Sequence, residues 1–177
     1  MQKLSMEQLN RPDIDSFKIQ DKTPIVILLD NVRSMHNVGS AFRTADGFAI
    51  KKIILCGITG TPPHREIEKT ALGATNSVDW EHQKSTVDAV AQLKREGYKI
   101  IAIEQATDSV SLQDAYPNKD EKYAFIFGNE VHGVSDEIMS NVDACIEIPQ
   151  FGTKHSLNVS VTIGIVLWHF VQKLNLF

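Results

Sequence analysis

The polar residues whose types and spacing could do chemistry fall in three short stretches. The first, Asn37 to Arg43, sets an amide and a guanidinium in a segment with helical apolar spacing. The second, Gly128-Asn129-Glu130-Val131-His132-Gly133, places one carboxylate in a turn bounded by glycines. The third is Ile148-Pro149-Gln150-Phe151-Gly152-Thr153-Lys154-His155-Ser156-Leu157-Asn158-Val159-Ser160. Pro149 has no N–H and cannot extend a central strand. Gly152 permits a backbone conformation or a close approach that a side chain would block. Ser156 and Asn158, alternating ahead of an apolar segment, either cap that segment or hold a ligand. The set contains no obvious side-chain nucleophile. It suits the binding and positioning of two partners, with the nucleophile supplied by a substrate.

Several familiar sites are excluded. The run Gly128 to Gly133 has the glycine spacing of a phosphate-binding loop but lacks its Lys-Ser/Thr. No Gly-x-Gly-x-x-Gly follows the first apolar run, and no Gly-x-Ser-x-Gly elbow occurs. The histidines at 36, 64, 82, 132, 155 and 169 show no metal-ligand spacing, so no metal is expected. Cys56 and Cys145 lie far apart and read as free thiols of a cytoplasmic protein.

The elements that must position these residues alternate between apolar runs and helical stripes. Ile25–Leu29, Lys52–Gly57, Lys99–Ile103, Tyr123–Phe127 and Ala144–Ile148 read as strands, the first buried on both faces. Residues 38, 41, 42, 45 and 48 give a helical stripe, with Asn37 placed as N-cap and Gly47 as stop. Arg43 then sits off the apolar face, where a solvated arginine is the plain alternative to a functional one. Ser85–Glu96 is a capped helix, and Ser135 heads a short one. A turn of helix is expected within Glu66–Leu72, a short strand at Ser77–Trp80, and a loop over 106–121 with one turn near Leu112–Tyr116. Ser5–Leu9 opens a short helix that Arg11-Pro12-Asp13 ends. Leu157–Leu174 is apolar nearly all round, so it must be buried in the core or in an oligomer interface.

This alternation predicts one α/β domain with a mainly parallel sheet flanked by helices, over residues 23–177, preceded by an extension at 1–22. Ligands of such sheets lie beyond the carboxyl ends of the strands. Asp30-Asn31, Glu104-Gln105, Gly128-Asn129-Glu130 and Pro149-Gln150 all occupy that position, which points to one active site. The 177 residues suffice for a proper core. The net charge of −4 argues against a protein coated in basic charge, though not against a local basic patch. No apolar run reaches the roughly 18 residues of a membrane span, and the first residues lack the apolar core of a signal peptide.

Taken in order, Asn37 through Arg43-Thr44-Ala45, Phe127-Gly128-Asn129-Glu130 to Gly133, and Ile148-Pro149 through Gly152 to Ser156-Leu157-Asn158-Val159-Ser160 resemble the three motifs of the SpoU (TrmH-type) RNA 2′-O-ribose methyltransferases of the SPOUT superfamily. Gln150 stands where the family often has Met, and Val131-His132 follow the glutamate where it often has a small residue. The resemblance implies an enzyme that takes S-adenosylmethionine as cofactor and methylates a ribose 2′-hydroxyl of tRNA or rRNA. It further implies a deep trefoil knot at the carboxyl end and a homodimer with the site near the interface. By the same resemblance Gly128, Ile148 and Leu157 line the cofactor pocket. Asn37, Arg43, Glu130, Ser156 and Asn158 take catalytic and substrate-side positions. Arginine stays protonated at neutral pH, so Arg43 is read as a phosphate clamp and stabiliser of a developing alkoxide, with Glu130 orienting Arg43 or a substrate group. Ser156 would brace the knot. RNA phosphates would meet a local patch in which Arg33 and Arg65 are the leading candidates. A non-catalytic RNA-binding or assembly module on the same fold is the alternative.

Overall fold

The computed structural model describes residues 1–5 and 7–174. Seven strands form a single parallel sheet: β1 (Thr23–Asp30), β2 (Ile50–Cys56), β3 (Trp80–Gln83), β4 (Tyr98–Ile103), β5 (Val110–Ser111), β6 (Lys122–Phe127) and β7 (Ala144–Glu147). Their spatial order is β3-β2-β1-β6-β4-β7-β5. Among the described residues six α-helices accompany them: α1 (Ile14–Ile19), α2 (Met35–Gly47), α3 (Arg65–Ala71), α4 (Thr86–Arg95), α5 (Asp136–Met139) and α6 (Val159–Lys173).

The continuous apolar runs of the central strands follow from burial on both faces. In β1, Ile25, Ile27 and Leu29 pack with Val38, Ala41 and Phe42 of α2, Ile67 of α3, and Ile163, Val166 and Phe170 of α6. Val26 and Leu28, pointing the other way, pack with Ala89, Val90 and Leu93 of α4 and with Ile138 of α5. Two helical layers thus cover the sheet, and the β1–β6 pair at its centre runs in register from Ile25↔Tyr123 to Leu29↔Phe127. The first layer carries an aromatic cluster in which Phe125 and Phe170 meet edge to face at 4.6 Å. Both cysteines are free, and burial pushes the Cys56 thiol up to about 12.

Local expectations fail where side-chain pattern and backbone geometry part. The N-cap of α2 is Ser34, whose hydroxyl accepts from the Asn37 N–H at 3.3 Å, and not Asn37. The helix starts ahead of its apolar stripe, because Met35 is only half-buried and His36 is exposed. Gly47 is the last helical residue, and the left-handed backbone after the helix falls on Ala49, with φ 48°. The expected strand at Ser77–Trp80 lies later, at Trp80–Gln83. An edge strand with one neighbour tolerates the polar run Glu81-His82-Gln83, which hides its pattern. Val110–Ser111 adds a second edge strand within a stretch that reads as loop. Near the amino end, α1 follows Pro12 rather than preceding it, with the Asp13 carboxylate accepting from the Ser16 N–H at 2.7 Å as N-cap. Part of the helix expected at Ser5–Leu9 lies outside the described residues.

At the start of α6, Asn158 is the N-cap. Its Oδ1 accepts from the Ser160 N–H at 2.9 Å and the Ser160 hydroxyl at 2.7 Å. Ile163, Val166, Leu167, Phe170 and Val171 fill the core from one side of α6. Its other side leaves Val161, Ile165 and Trp168 exposed.

Candidate functional site

The carboxyl ends of β4, β6 and β7, which lie side by side in the sheet, open into a cleft of about 840 Å³. Ile103–Ala106, the turn from Phe127 to Val134, Ile146–Ile148, Gln150 and Ser156–Val159 line it. Three of the four expected strand ends therefore converge. The fourth, Asp30-Asn31, does not join them. Asp30 is 1% exposed and accepts from the Thr86 hydroxyl at 2.6 Å and from Asn31 Nδ2 at 2.8 Å. Asn31 Oδ1 in turn accepts from the Ile58 N–H at 3.1 Å. These groups tie α4 and the β2 exit to β1, a structural task on the other side of the switch in strand order.

The glycines of the turn are there for close approach. A Cβ on Gly128 would stand 2.0 Å from the Gly133 carbonyl carbon and 2.2 Å from the Val134 nitrogen, both backbone atoms that cannot step aside. Gly133 has φ +65°, and a Cβ there would meet Glu104 Oε2 at 2.0 Å. Asn129 closes the turn: its Oδ1 accepts from the N–H groups of Val131 and His132 at 3.0 and 2.9 Å. The lining includes the carboxylates Glu104, Glu130, Asp136 and Glu147 and no lysine or arginine.

One hydrogen-bonded chain joins the three motif stretches at the rim of this cleft. Glu130 accepts from the backbone N–H groups of Arg33 and Ser34, each at 3.2 Å, and from Asn37 Nδ2 at 3.0 Å. Asn37 Oδ1 accepts from Asn158 Nδ2 at 3.1 Å. The carboxylate fixes the orientation of the first amide, and the first amide fixes the second. Glu130 is largely exposed, and its partial desolvation favours the neutral form. The hydrogen bonds from its own backbone, Arg33, Asn37 and Ser34 outweigh that, and its carboxyl falls below the ordinary 4.5.

The remaining expected residues scatter around this centre. Gly128, Ile148, Leu157 and Ser156 line the cleft, with the Ser156 side chain exposed. Glu130 does not reach Arg43. Arg43 follows Asn37 by six positions, which on a helix is about 9 Å along the axis and about 120° around it. Arg43 is exposed and lies outside the cleft lining. Arg33 contributes its backbone N–H to Glu130 and exposes its side chain, and Arg65 is exposed beside Glu66 at 3.9 Å. Two residues named above only as a strand end prove to be contacts within the site. Glu104 accepts from the N–H groups of Gln105 and Val134, and Gln105 Nε2 donates to the His155 carbonyl at 2.6 Å. Nothing in their local sequence distinguishes them, because both partners lie far along the chain. Among the described residues, no group of three or more His, Cys, Asp or Glu side chains could hold a metal ion. No helix among them is long and apolar enough to cross a membrane.

Comparison with known proteins gives a consistent answer. The chain is 30% identical over 168 residues to the 23S rRNA (guanosine-2′-O-)-methyltransferase RlmB of Vibrio parahaemolyticus, covering 94% of this chain and 66% of that protein. It therefore spans just under two thirds of that relative's length. The crystal structure of the A. aeolicus TrmH/SpoU tRNA modifying enzyme superposes with a TM-score of 0.78 at 27% identity, covering 90% of this chain and 79% of the other. An AdoMet-bound rRNA methyltransferase from Sinorhizobium meliloti gives 0.79 at 26% identity, over 86% and 57% of the two chains. Residues 24–168, which hold the sheet, the cleft and all three motif stretches, match the family model of the SpoU rRNA methylases, and the chain belongs to that family.

Proposed function

We propose that this chain transfers the methyl group of S-adenosylmethionine to a ribose 2′-hydroxyl of tRNA or rRNA. The observation that carries the reading is the Glu130–Asn37–Asn158 chain of hydrogen bonds at the rim of the glycine-built cleft, in a member of the SpoU family. Residues 23–177 are the catalytic domain in this reading and 1–22 its extension. The protein works in the cytoplasm as a homodimer. The trefoil knot at the carboxyl end belongs to the same proposal.

The cleft fits the cofactor on its own chemistry. Its volume of about 840 Å³ lies within the roughly 300–1,000 Å³ usual for small-ligand sites. Gly128 lets the two ends of the turn that walls the cleft close on one another, and Ile148 and Leu157 supply apolar walls. Four carboxylates without a lysine or arginine favour a ligand carrying sulfonium and ammonium charge over a phosphate. When bound, the cofactor supplies an electrophilic methyl group. The chain's own residues do the rest. Glu130, ionised and held by the Arg33 and Ser34 N–H groups and the Asn37 amide, fixes Asn37. Asn37 and Asn158 present a rigid amide pair that positions the substrate ribose beside the cleft. Arg43 clamps the neighbouring phosphate and stabilises the developing alkoxide. Arg43 is exposed and outside the cleft lining of its own chain, and in this reading it serves the site across a homodimer interface built on the exposed α6 face, Val161, Ile165 and Trp168.

Calorimetric titration with S-adenosylmethionine tests the first half of the reading, and methylation of tRNA and rRNA the second. One site per chain supports it, and a folded protein that binds no cofactor refutes it. Neutralising Arg33 and Arg65 is expected to weaken RNA binding and to flatten its salt dependence by roughly one unit of slope per lost contact. An unchanged slope removes these two residues from the phosphate patch.

A further inference from the structure

The dipeptide Glu104-Gln105 touches both loops that wall the cleft, and the motifs account for neither residue. Glu104 extends β4 in effect, since its N–H donates to the Ile146 carbonyl at 3.1 Å. Its carboxylate is half-buried and divides its two oxygens. Oε1 accepts from the Gln105 N–H at 2.9 Å, and Oε2 accepts from the Val134 N–H at 3.1 Å. Oε2 also lies over Gly133, where a Cβ would meet it at 2.0 Å and push the carboxylate aside. The carboxylate thereby seats the far end of the turn from Gly128 to Val134, whose near end is Gly128 itself. Gln105 faces the other wall. Its Nε2 donates to the His155 carbonyl at 2.6 Å, directly before Ser156 and Leu157 of the cleft lining. Residues 149–158 are otherwise almost wholly exposed, so this is one of few side-chain ties holding that segment to the sheet.

We infer that Glu104 and Gln105 are positioning residues which together set the spacing of the two cleft walls for the methyl donor, Glu104 through the Val134 amide and Gln105 through the His155 carbonyl. The inference rests on the function proposed above. It assigns neither residue a role in the methyl transfer itself. A neutral side chain of the same shape cannot replace Glu104, because a carboxamide presents one acceptor oxygen to two N–H donors. A glutamate cannot replace Gln105, because it has no hydrogen to give to a carbonyl.

The test compares the full-length chain with Glu104→Gln and, separately, Gln105→Glu. Gln105 is exposed, so the second variant is expected to fold even if the first does not. Each is expected to raise the dissociation constant for S-adenosylmethionine about tenfold, the effect of losing one well-formed tie. The KM for the donor should rise in parallel while kcat at saturating donor, RNA affinity and melting temperature hold. Hydrogen exchange on the cofactor-free chain should separate the two arms. The Val134 amide, which donates to Glu104, is expected to exchange faster in Glu104→Gln and to keep its wild-type protection in Gln105→Glu. Donor affinity within twofold of wild type in both variants overturns the inference. So does a loss of donor affinity, RNA affinity and melting temperature together, which would mark a merely structural contact. Failure of the wild-type chain to bind the donor would remove the proposed function and this inference with it, whereas wild-type binding with unaltered variants removes the inference alone.

Discussion

Replacing Asn37 with alanine removes a side chain that links the glutamate turn to the start of α6. Its amide makes two hydrogen bonds, to Glu130 at 3.0 Å and from Asn158 at 3.1 Å. A bond to a charged group contributes about 1.5–3 kcal/mol to stability and a neutral one about 0.5–1.5 kcal/mol. Glu130 and Asn158 are exposed, so each recovers water when Asn37 is truncated, and screening moves the charged contribution to the low end. The expected loss is about 1–3 kcal/mol, with about 1 kcal/mol of it appearing as coupling in a double-mutant cycle with Glu130→Ala. The pH dependence has a definite sign. The folded-state pKa of Glu130 is depressed below the ordinary 4.5, so the folded chain holds that proton less tightly than the unfolded chain. Its contribution is full above the unfolded value and is lost as pH falls through the lower folded value. Equilibrium urea unfolding of the four proteins measures the coupling. It should be constant around neutrality and shrink only below 4.5. A coupling of zero at neutral pH, or one that grows on acidification, would refute the reasoning. The same variant should lose ribose methylation by far more than the unfolded fraction explains.

Three further outcomes are expected. Arg43→Ala should abolish methyl transfer while leaving S-adenosylmethionine affinity intact, because Arg43 lies outside the cleft lining; near-normal turnover would sink its assignment. Gly128→Ala should lower stability by about 1–3 kcal/mol through overpacking and reduce cofactor affinity at least tenfold, read by unfolding and calorimetry; equal affinity would show that the turn can give way where a Cβ meets backbone at 2.0 Å. Aspartate at both Val161 and Ile165, which are 50% and 37% exposed on α6, should convert the proposed dimer to monomer by light scattering and lower methylation with it. Persistence of a dimer would place the interface elsewhere.

How much of this could be read from the chain alone depends on how local each cause is. The central strands are legible because burial on both faces demands an unbroken apolar run, as in Ile25–Leu29. The edge strands are not, since Glu81-His82-Gln83 and Val110-Ser111 have one neighbour each and need no such run. Asn37 is conspicuous as a polar group ahead of an apolar stripe, and a cap is the natural local explanation. The neighbouring Ser34 takes that role, which frees the Asn37 amide for partners 93 and 121 residues away. Asp30 and Glu104 look alike in sequence, each an acid at the end of an apolar strand. One is sealed against Thr86 and the other faces the cleft.

The sequence by itself determined the α/β class, the residues of the three motif stretches and their family. Each of these depends on residue type and short-range spacing, which the chain states directly. Only the tertiary structure decided which strand ends share a cleft, because β4, β6 and β7 become neighbours through crossover connections that spacing does not encode. It likewise decided that Glu130 meets Asn37 and not the Arg43 of its own chain. A helix carries residues six apart to different sides, and a hydrogen bond forms only where donor and acceptor arrive within about 3 Å of one another.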